Sequence, residues 1–164
     1  MPVIEGRLDA TGKRVAIVAS RYNHLISRRL LEGAVKRLAE LGCTQVDEVW
    51  VPGAFELPLA AQALAERASH DGIIAIGVVI RGDTSHFDYV CRSVTDGISE
   101  VGLSAGLPIG FCVLTTDTVE QALVRALPTG GTGADGEEGS NKGAEVAEVV
   151  VEMMDLMHQL GTEA

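Results

Sequence analysis

The sequence predicts an α/β protein, a three-layer sandwich around a four-stranded parallel sheet. Short apolar runs of strand length alternate with longer segments whose apolar residues recur at helical spacing. Four such alternations predict parallel strands joined by right-handed crossovers. The run Ile73–Ile80 is almost wholly apolar, as expected of a central strand that helices cover on both faces. With 164 residues, the chain is predicted to form one domain over residues 1–164.

The individual elements follow from the spacing of apolar residues and from the residues that end each run. The strands are predicted at Val15–Ala19, Val46–Val51, Ile73–Ile80 and Ile109–Leu114. Helices are predicted from near Asn23 to Gly42, from Pro58 to Ala68, after Thr84–Ser85, from Asp117 onward, and along the apolar stripe Val146–Leu160. Ser85 and Asp88 have the spacing of a capping box. Met153 and Met157, on the last stripe, are predicted to lie in the core.

Two segments lie outside this alternation. Residues 1–10 form an N-terminal arm, in which Met1–Leu8 is predicted to be an extra strand that pairs with another copy of the chain, because it has no partner strand of its own. The stretch Pro128–Ser140 is rich in glycine and acidic residues and too polar to pack. It is predicted to be a flexible loop between the last two helices.

Composition and charge exclude several classes of protein. A net charge of −10 makes nucleic acid an improbable partner, since affinity for the phosphate backbone comes from clustered Lys and Arg. No apolar run approaches the roughly 20 residues of a membrane helix, so no membrane association is expected. The three dispersed cysteines, Cys43, Cys91 and Cys112, favour neither a disulfide framework nor a zinc site, and they indicate a cytoplasmic protein.

The strongest local motif is the segment Ile80–Tyr89, in which a buried strand ends and hydroxyl residues precede a helix. The first-turn N–H groups, with Thr84 and Ser85, suit a phosphate, whereas Asp83 favours the alternative of an ordinary capped helix without a ligand. His86 lies in the same turn. An imidazole there would transfer protons next to a phosphate, and the alternative is a surface histidine.

Two further motifs follow the other strands. Phe55 and Glu56, in the segment Val51–Pro58, offer a ring for stacking and backbone groups for a heterocycle, or else a hydrophobic staple with a first-turn acid. Tyr22 and Asn23 add a second ring and an amide after the first strand. Parallel sheets bind ligands at the carboxyl ends of their strands, so these loops are predicted to converge on one site.

Taken together, these segments resemble the lumazine synthase family in order and spacing over nearly the whole chain. The segments that carry the resemblance are RYNHLISRRLLEGA (Arg21–Ala34), WVPGAFELPLAA (Trp50–Ala61), GVVIRGDTSHFDYVC (Gly77–Cys91), TTDTVEQALVRA (Thr115–Ala126) and NKGAEVA (Asn141–Ala147). The resemblance implies a transferase of riboflavin biosynthesis. This enzyme would condense 5-amino-6-(D-ribitylamino)uracil with 3,4-dihydroxy-2-butanone 4-phosphate to 6,7-dimethyl-8-ribityllumazine, phosphate and water, without a metal or organic cofactor.

The resemblance also implies a role for each matching residue. His86 would transfer protons, Tyr22 would stack on the pyrimidine with Asn23 beside it, and Asp83 with Thr84 would bind the phosphate. Ala54, Phe55 and Glu56 would hold the ribityl chain, and Val78, Val79 and Ile80 would present backbone groups to the pyrimidine edge. Phe111 and Arg125 would reach the site from a neighbouring subunit, and Lys142 would lie near the site.

The implied partners are the two substrates, riboflavin synthase and further copies of the chain. Family members with a short junction before the last helix build sixty-subunit icosahedral shells, and members with insertions there tend to remain pentamers. The loop Pro128–Ser140 therefore predicts a homopentamer, with the shell as the alternative. Asp83 stands where the family usually has a small residue, and we expect this acid to weaken phosphate binding.

Three other functions remain open at this stage. A non-catalytic flavin- or lumazine-binding module would keep the ring contacts, but it would have no use for His86 and Arg125. A flavodoxin-like phosphate or nucleotide binder fits the strand–helix alternation but leaves VPGAFE (Val51–Glu56) unexplained. A purely structural shell protein would leave the ligand-type aromatic residues without a role.

Overall fold

The computed structural model describes residues 1–128, 130–134 and 136–161. In this part of the chain, four strands form one parallel sheet in the order β2-β1-β3-β4, so the predicted fold class is confirmed. Each strand includes the predicted run, and most extend beyond it by one or two residues. Their bounds are β1 (Arg14–Ser20), β2 (Gln45–Val51), β3 (Gly72–Ile80) and β4 (Ile109–Thr116).

Helices cover both faces of the sheet. They are α1 (His24–Glu40), α2 (Leu57–Glu66), α3 (His86–Ala105), α4 (Val119–Val124) and α5 (Lys142–Gly161). Val15, Ile17 and Ala19 of β1 pack into the core that lies under α1, α4 and α5. The alternate residues Ala16 and Val18 pack against α2 and α3. Central strands buried on both faces explain why β1 and β3 read as continuous apolar runs.

The end of α2 and the start of α4 differ from the predictions. The α2 helix ends at Glu66 rather than Ala68, since Ala68 has a φ of 49°, in the left-handed region. The α4 helix is capped by Thr118 rather than opened by Asp117, because the Thr118 hydroxyl accepts a hydrogen bond from the Gln121 N–H at 3.2 Å.

The predicted capping box at the start of α3 is wrong. The Ser85 side chain makes no capping hydrogen bond, and its backbone already has right-handed helical angles. Asp88 turns instead to the guanidinium of Arg81, with 3.3 Å between Nη1 and Oδ1. A charged partner seven residues earlier therefore displaces the local cap that the spacing suggested.

The prediction that Met153 and Met157 lie in the core is also wrong for the single chain. They are 37% and 40% exposed, whereas Val150, Val151 and Met154 are buried against the sheet. The α5 helix thus carries two adjacent apolar stripes, and only one faces the core. The exposed stripe borders an apolar groove of about 560 Å³ together with Phe111 and the end of α3.

The N-terminal arm has no strand within the described chain, and it is anchored on α5. The backbone N–H of Arg7 and its guanidinium both bind Asp155, at 2.9 and 3.1 Å. The amide of Gln159 donates to the carbonyl oxygen of Glu5. Pairing of this arm with a second copy stays a prediction.

The segment predicted as a flexible loop makes a short antiparallel bridge between Thr132 and Glu138. Thr129 and Asp135 of this loop lie outside the described residues. In the part of the chain that the structure describes, no helix combines the length and apolar character needed to cross a bilayer.

Candidate active site

The carboxyl ends of the four strands bring the predicted loops to one rim of the sheet. Backbone hydrogen bonds tie neighbouring loops together there. The Arg21 N–H donates to the Val51 carbonyl at 2.8 Å, and the Arg81 N–H donates to the Thr116 carbonyl at 2.9 Å. The rim is therefore a connected surface built from four separate parts of the sequence.

Asn23 links the first loop to the central strand. Its φ of 58° is left-handed, a conformation that asparagine tolerates better than most residues. The side-chain amide donates to the Val78 carbonyl at 2.9 Å, so this oxygen is already engaged. The Val78 side chain is also buried, whereas Val79 and Ile80 at the end of the strand are half-buried.

Two aromatic side chains project from the rim. Tyr22 is 73% exposed and Phe55 is 59% exposed, each on a loop that follows a strand. The two loops contact each other through a hydrogen bond of 3.1 Å from the Tyr22 N–H to the Pro52 carbonyl. Exposed rings in this position are available for stacking on a flat ligand.

Residues Ala54–Glu56 form a short 3₁₀ helix close to β3. Ala54 is buried against Gly77, where a Cβ would lie only 3.4 Å from the Ala54 Cβ and 3.1 Å from Leu57, so a glycine at this position allows the loop to approach the strand. The Glu56 carboxylate accepts a hydrogen bond from the Gly53 N–H at 2.8 Å, which fixes the loop locally. Glu56 thus shapes the loop that the family resemblance assigns to the ribityl chain.

The turn after β3 carries Asp83, Thr84 and His86, all exposed at the N-terminus of α3. The His86 N–H donates a long hydrogen bond of 3.4 Å to the Thr84 hydroxyl oxygen in this turn. The α3 helix has 20 residues, so its first-turn N–H groups present a substantial positive end to an anion.

Arg81 holds this turn in place, although sequence reasoning assigned it no role. Its guanidinium contacts Asp117 at 2.9 Å and Asp88 at 3.3 Å, and it lies 4.2 Å from the centre of the Phe87 ring. The hydrogen bond to Asp117 is the main cause that raises the pKa of Arg81 above its usual value. In the sequence, this role was indicated only by the position of Arg81, a cation directly after a buried strand.

Phe111 lies apart from the rim. Phe111 pairs with Ala75, whereas the rim begins at the pair Val79 and Thr115. Four residues of β-strand separate the two levels, a distance of about 13 Å. Phe111 is exposed on the outer strand of the sheet, so within one chain it does not reach the rim.

Arg125 and Lys142 lie next to each other at the junction of α4 and α5. The Lys142 N–H donates to the Arg125 carbonyl at 2.9 Å. The Arg125 guanidinium bonds the Gln121 carbonyl, and the Lys142 ammonium pairs with Glu145 at 2.7 Å. Both cations therefore lie at the junction of α4 and α5, close to each other in the backbone.

Comparison with known proteins identifies the family of this chain. The family model for 6,7-dimethyl-8-ribityllumazine synthase matches residues 12–158. A curated protein with the name 6,7-dimethyl-8-ribityllumazine synthase, from Nitratidesulfovibrio vulgaris (strain DSM 19637 / Miyazaki F), is 46% identical over 159 residues. The alignment covers 96% of this chain and 96% of that protein. The chain belongs to the 6,7-dimethyl-8-ribityllumazine synthase family.

Family membership confirms the resemblance predicted from the motifs. It places the protein in riboflavin biosynthesis as a transferase with an α/β fold of flavodoxin-like type. The three alternative functions explain the sequence less well than this family does. They were a non-catalytic flavin- or lumazine-binding module, a flavodoxin-like phosphate or nucleotide binder, and a structural shell protein. The match begins at residue 12, so the N-terminal arm lies largely outside it.

Proposed function

We propose that the protein condenses 5-amino-6-(D-ribitylamino)uracil with 3,4-dihydroxy-2-butanone 4-phosphate in a site that two neighbouring copies of the chain build together. One observation carries this proposal. Phe111 lies about 13 Å below the rim on the exposed outer strand, so a single chain does not bring all of the predicted ligand residues together. A symmetric ring would place the β4 side of each copy against the rim of the next.

The pyrimidine substrate fits the aromatic part of the rim. Tyr22 would stack on the flat ring, an interaction worth about 0.5–1.5 kcal/mol beyond burial. Backbone groups of Val79 and Ile80 would bind the polar edge of the pyrimidine, since the Val78 carbonyl is held by Asn23. The ribityl chain would lie along Ala54–Glu56, which is close to β3.

The phosphate of the second substrate fits the start of α3. The Thr84 hydroxyl and the first-turn N–H groups would bind it from one chain. Arg125 of the neighbouring copy would bind it from the other side, where a guanidinium makes two parallel hydrogen bonds to phosphate oxygens. Lys142 would add positive charge, and Phe111 would close the site against the pyrimidine.

The chemistry requires repeated proton transfer. The amine of the uracil attacks the ketone carbonyl and one water leaves, which gives an imine; phosphate is then eliminated, and the enol that remains becomes a carbonyl. The ribitylamino nitrogen attacks this carbonyl, and a second water leaves as the new ring closes. His86, exposed beside the Thr84 turn, would move these protons, because an imidazole changes charge between about pH 5 and 8. Holding the two substrates together would supply much of the rate, about 7–11 kcal/mol in favourable cases.

We further propose that the chain assembles as a homopentamer. The exposed stripe on α5 and the free edges of β2 and β4 offer surfaces for neighbouring copies, and the N-terminal arm would pair with an adjacent sheet. The acidic loop before α5 would obstruct packing between pentamers. Riboflavin synthase is a further proposed partner, since the lumazine is made in the penultimate step of the pathway, and the free cysteines favour a cytoplasmic enzyme.

Mixing of both substrates with the purified protein tests the activity directly, because the lumazine product is fluorescent. We expect His86→Ala to lower kcat by about 10²-fold without abolishing it, since general acid–base catalysis contributes about that much and positioning remains. Complete loss of turnover in a folded variant that still binds both substrates would contradict this role. His86→Gln, which keeps a polar side chain but exchanges no charge, should behave like His86→Ala.

Complementation tests whether the site is shared. His86→Ala and Arg125→Ala chains are unfolded together and reassembled in equal amounts. In a shared site, about a quarter of the sites then combine an intact His86 with an intact Arg125, and activity rises far above that of either variant. Absence of any recovery in correctly assembled mixtures would refute sharing.

A further inference from the structure

A network of hydrogen bonds next to Arg125 and Lys142 centres on Asn141, a residue to which the sequence analysis assigned no function. Asn141 is only 6% exposed. Its amide nitrogen donates to the Arg29 carbonyl at 3.0 Å and to the Ala126 carbonyl at 3.3 Å. Its side-chain oxygen accepts from the Ala144 N–H at 3.1 Å, which caps the first turn of α5.

These bonds join three parts of the chain that are far apart in sequence. Asn141 lies 112 residues from Arg29 on α1 and 15 residues from Ala126 at the end of α4. Glycines let the elements approach this closely. A Cβ at Gly33 would overlap the Asn141 side chain, and a Cβ at Gly143 would overlap the Leu30 carbonyl. The side chain is therefore enclosed, and its orientation is fixed.

The network fixes the backbone of the two cations directly. Asn141 bonds the carbonyl of Ala126, the residue after Arg125, and the N–H of Lys142 bonds the carbonyl of Arg125 itself. The loop from Leu127 to Ser140 leaves and returns between these two anchor points.

We propose that Asn141 is a positioning residue for the phosphate-binding half of the shared site: it ties the end of α4 to α1 and α5 and so holds Arg125 and Lys142 where a neighbouring copy uses them. This inference rests on the shared site proposed above. Asn141 touches no substrate. A displacement of about 1 Å in a binding group can cost about 100-fold in rate, so loss of this anchor should be visible in kinetics.

The test is the KM for each substrate in Asn141→Asp, which keeps the size and the oxygen that caps α5 but loses both donated hydrogen bonds. We expect the KM for the butanone phosphate to rise about tenfold or more, while the KM for the pyrimidine stays within about twofold. Inorganic phosphate, used as a probe in equilibrium binding, should lose affinity to a similar extent.

The matched control is His70→Ala, another buried polar side chain, which bonds Asp47 at 2.8 Å near the opposite end of the sheet. It should lower stability without shifting either KM. Asn141→Ser, whose short hydroxyl can still cap α5, carries the same expectation if Asn141→Asp does not fold. Equal KM changes for both substrates, or changes no larger than those of His70→Ala, would overturn the inference.

Reassembled mixtures distinguish failure of the positioning role from failure of the shared site on which it rests. Asn141→Asp chains mixed with His86→Ala chains should regain sites with an ordinary KM for the butanone phosphate, because the defect lies in the half that faces the neighbour. If His86→Ala with Arg125→Ala gives no recovery, the shared site fails. If that pair recovers and Asn141→Asp leaves phosphate binding unchanged, only the positioning role fails.

Discussion

The charges of individual residues determine how strongly the turn after β3 can bind a phosphate. Asp88 and Asp117 are both neutralised by Arg81. Asp83 is exposed in the same turn and has no ion-pair partner among the described residues. A lone carboxylate beside a phosphate site raises the free energy of the bound anion.

Replacement of this carboxylate should therefore strengthen binding of the phosphorylated substrate. We expect Asp83→Asn to lower the KM for the butanone phosphate by about two- to fivefold, since an exposed charge contributes only about 0.5–1 kcal/mol. Asp96→Asn, an exposed acid further along α3, is the control and should change nothing. An unchanged KM in Asp83→Asn, measured at low salt, would refute the repulsion.

Among the helices, α5 presents apolar residues on two sides, one toward the sheet and one toward the outside of the chain. Its buried stripe packs on the sheet, and its second stripe, with Met153 and Met157, borders the groove near Phe111. Helical periodicity predicts that an apolar stripe is buried, but it does not say by which molecule. The exposed stripe is what an interface between copies requires.

The same helix anchors the N-terminal arm through an acid whose protonation state matters. Four hydrogen bonds hold the Asp155 carboxylate, two from the Arg7 guanidinium, one from the Arg7 N–H and one from the Gln159 amide, and they keep the pKa of Asp155 well below its usual range. A carboxyl group with a lowered folded-state pKa stabilises the protein fully above its unfolded pKa of about 4, and this contribution is lost as the pH falls toward the folded value.

We therefore expect Asp155→Asn to lower the free energy of unfolding clearly at pH 7 and progressively less below about pH 4. Urea titrations at pH 7 and pH 3, at one protein concentration, measure this difference. Asp96→Asn, which removes an exposed i,i+4 pair with Arg92, should show little effect at either pH. A difference for Asp155→Asn that stays constant with pH would contradict the assignment.

For the whole molecule, the loop before α5 governs the proposed assembly. Light scattering should give a mass near five times 17.2 kDa. Deletion of residues 131–138 would join Gly130 to Gly139, whose backbone groups already form a hydrogen bond of 3.2 Å. We expect the shortened chain to form larger particles with unchanged kinetics, because Asn141 and Ala126 are bonded independently of the loop. A megadalton particle formed by the full-length chain would refute the obstruction.

The sequence by itself determined the strands, the helices, the sheet type and the family, because these depend on local periodicity and on motifs that are contiguous in the chain. It also located the rim residues, since the carboxyl ends of parallel strands meet at one edge. Only the tertiary structure decided the partners of Asp88 and Asp155, the exposed side of α5, and the hydrogen bonds of Asn141 to Arg29 and Ala126. These depend on contacts between residues as far as 148 positions apart, whose energies no local pattern contains.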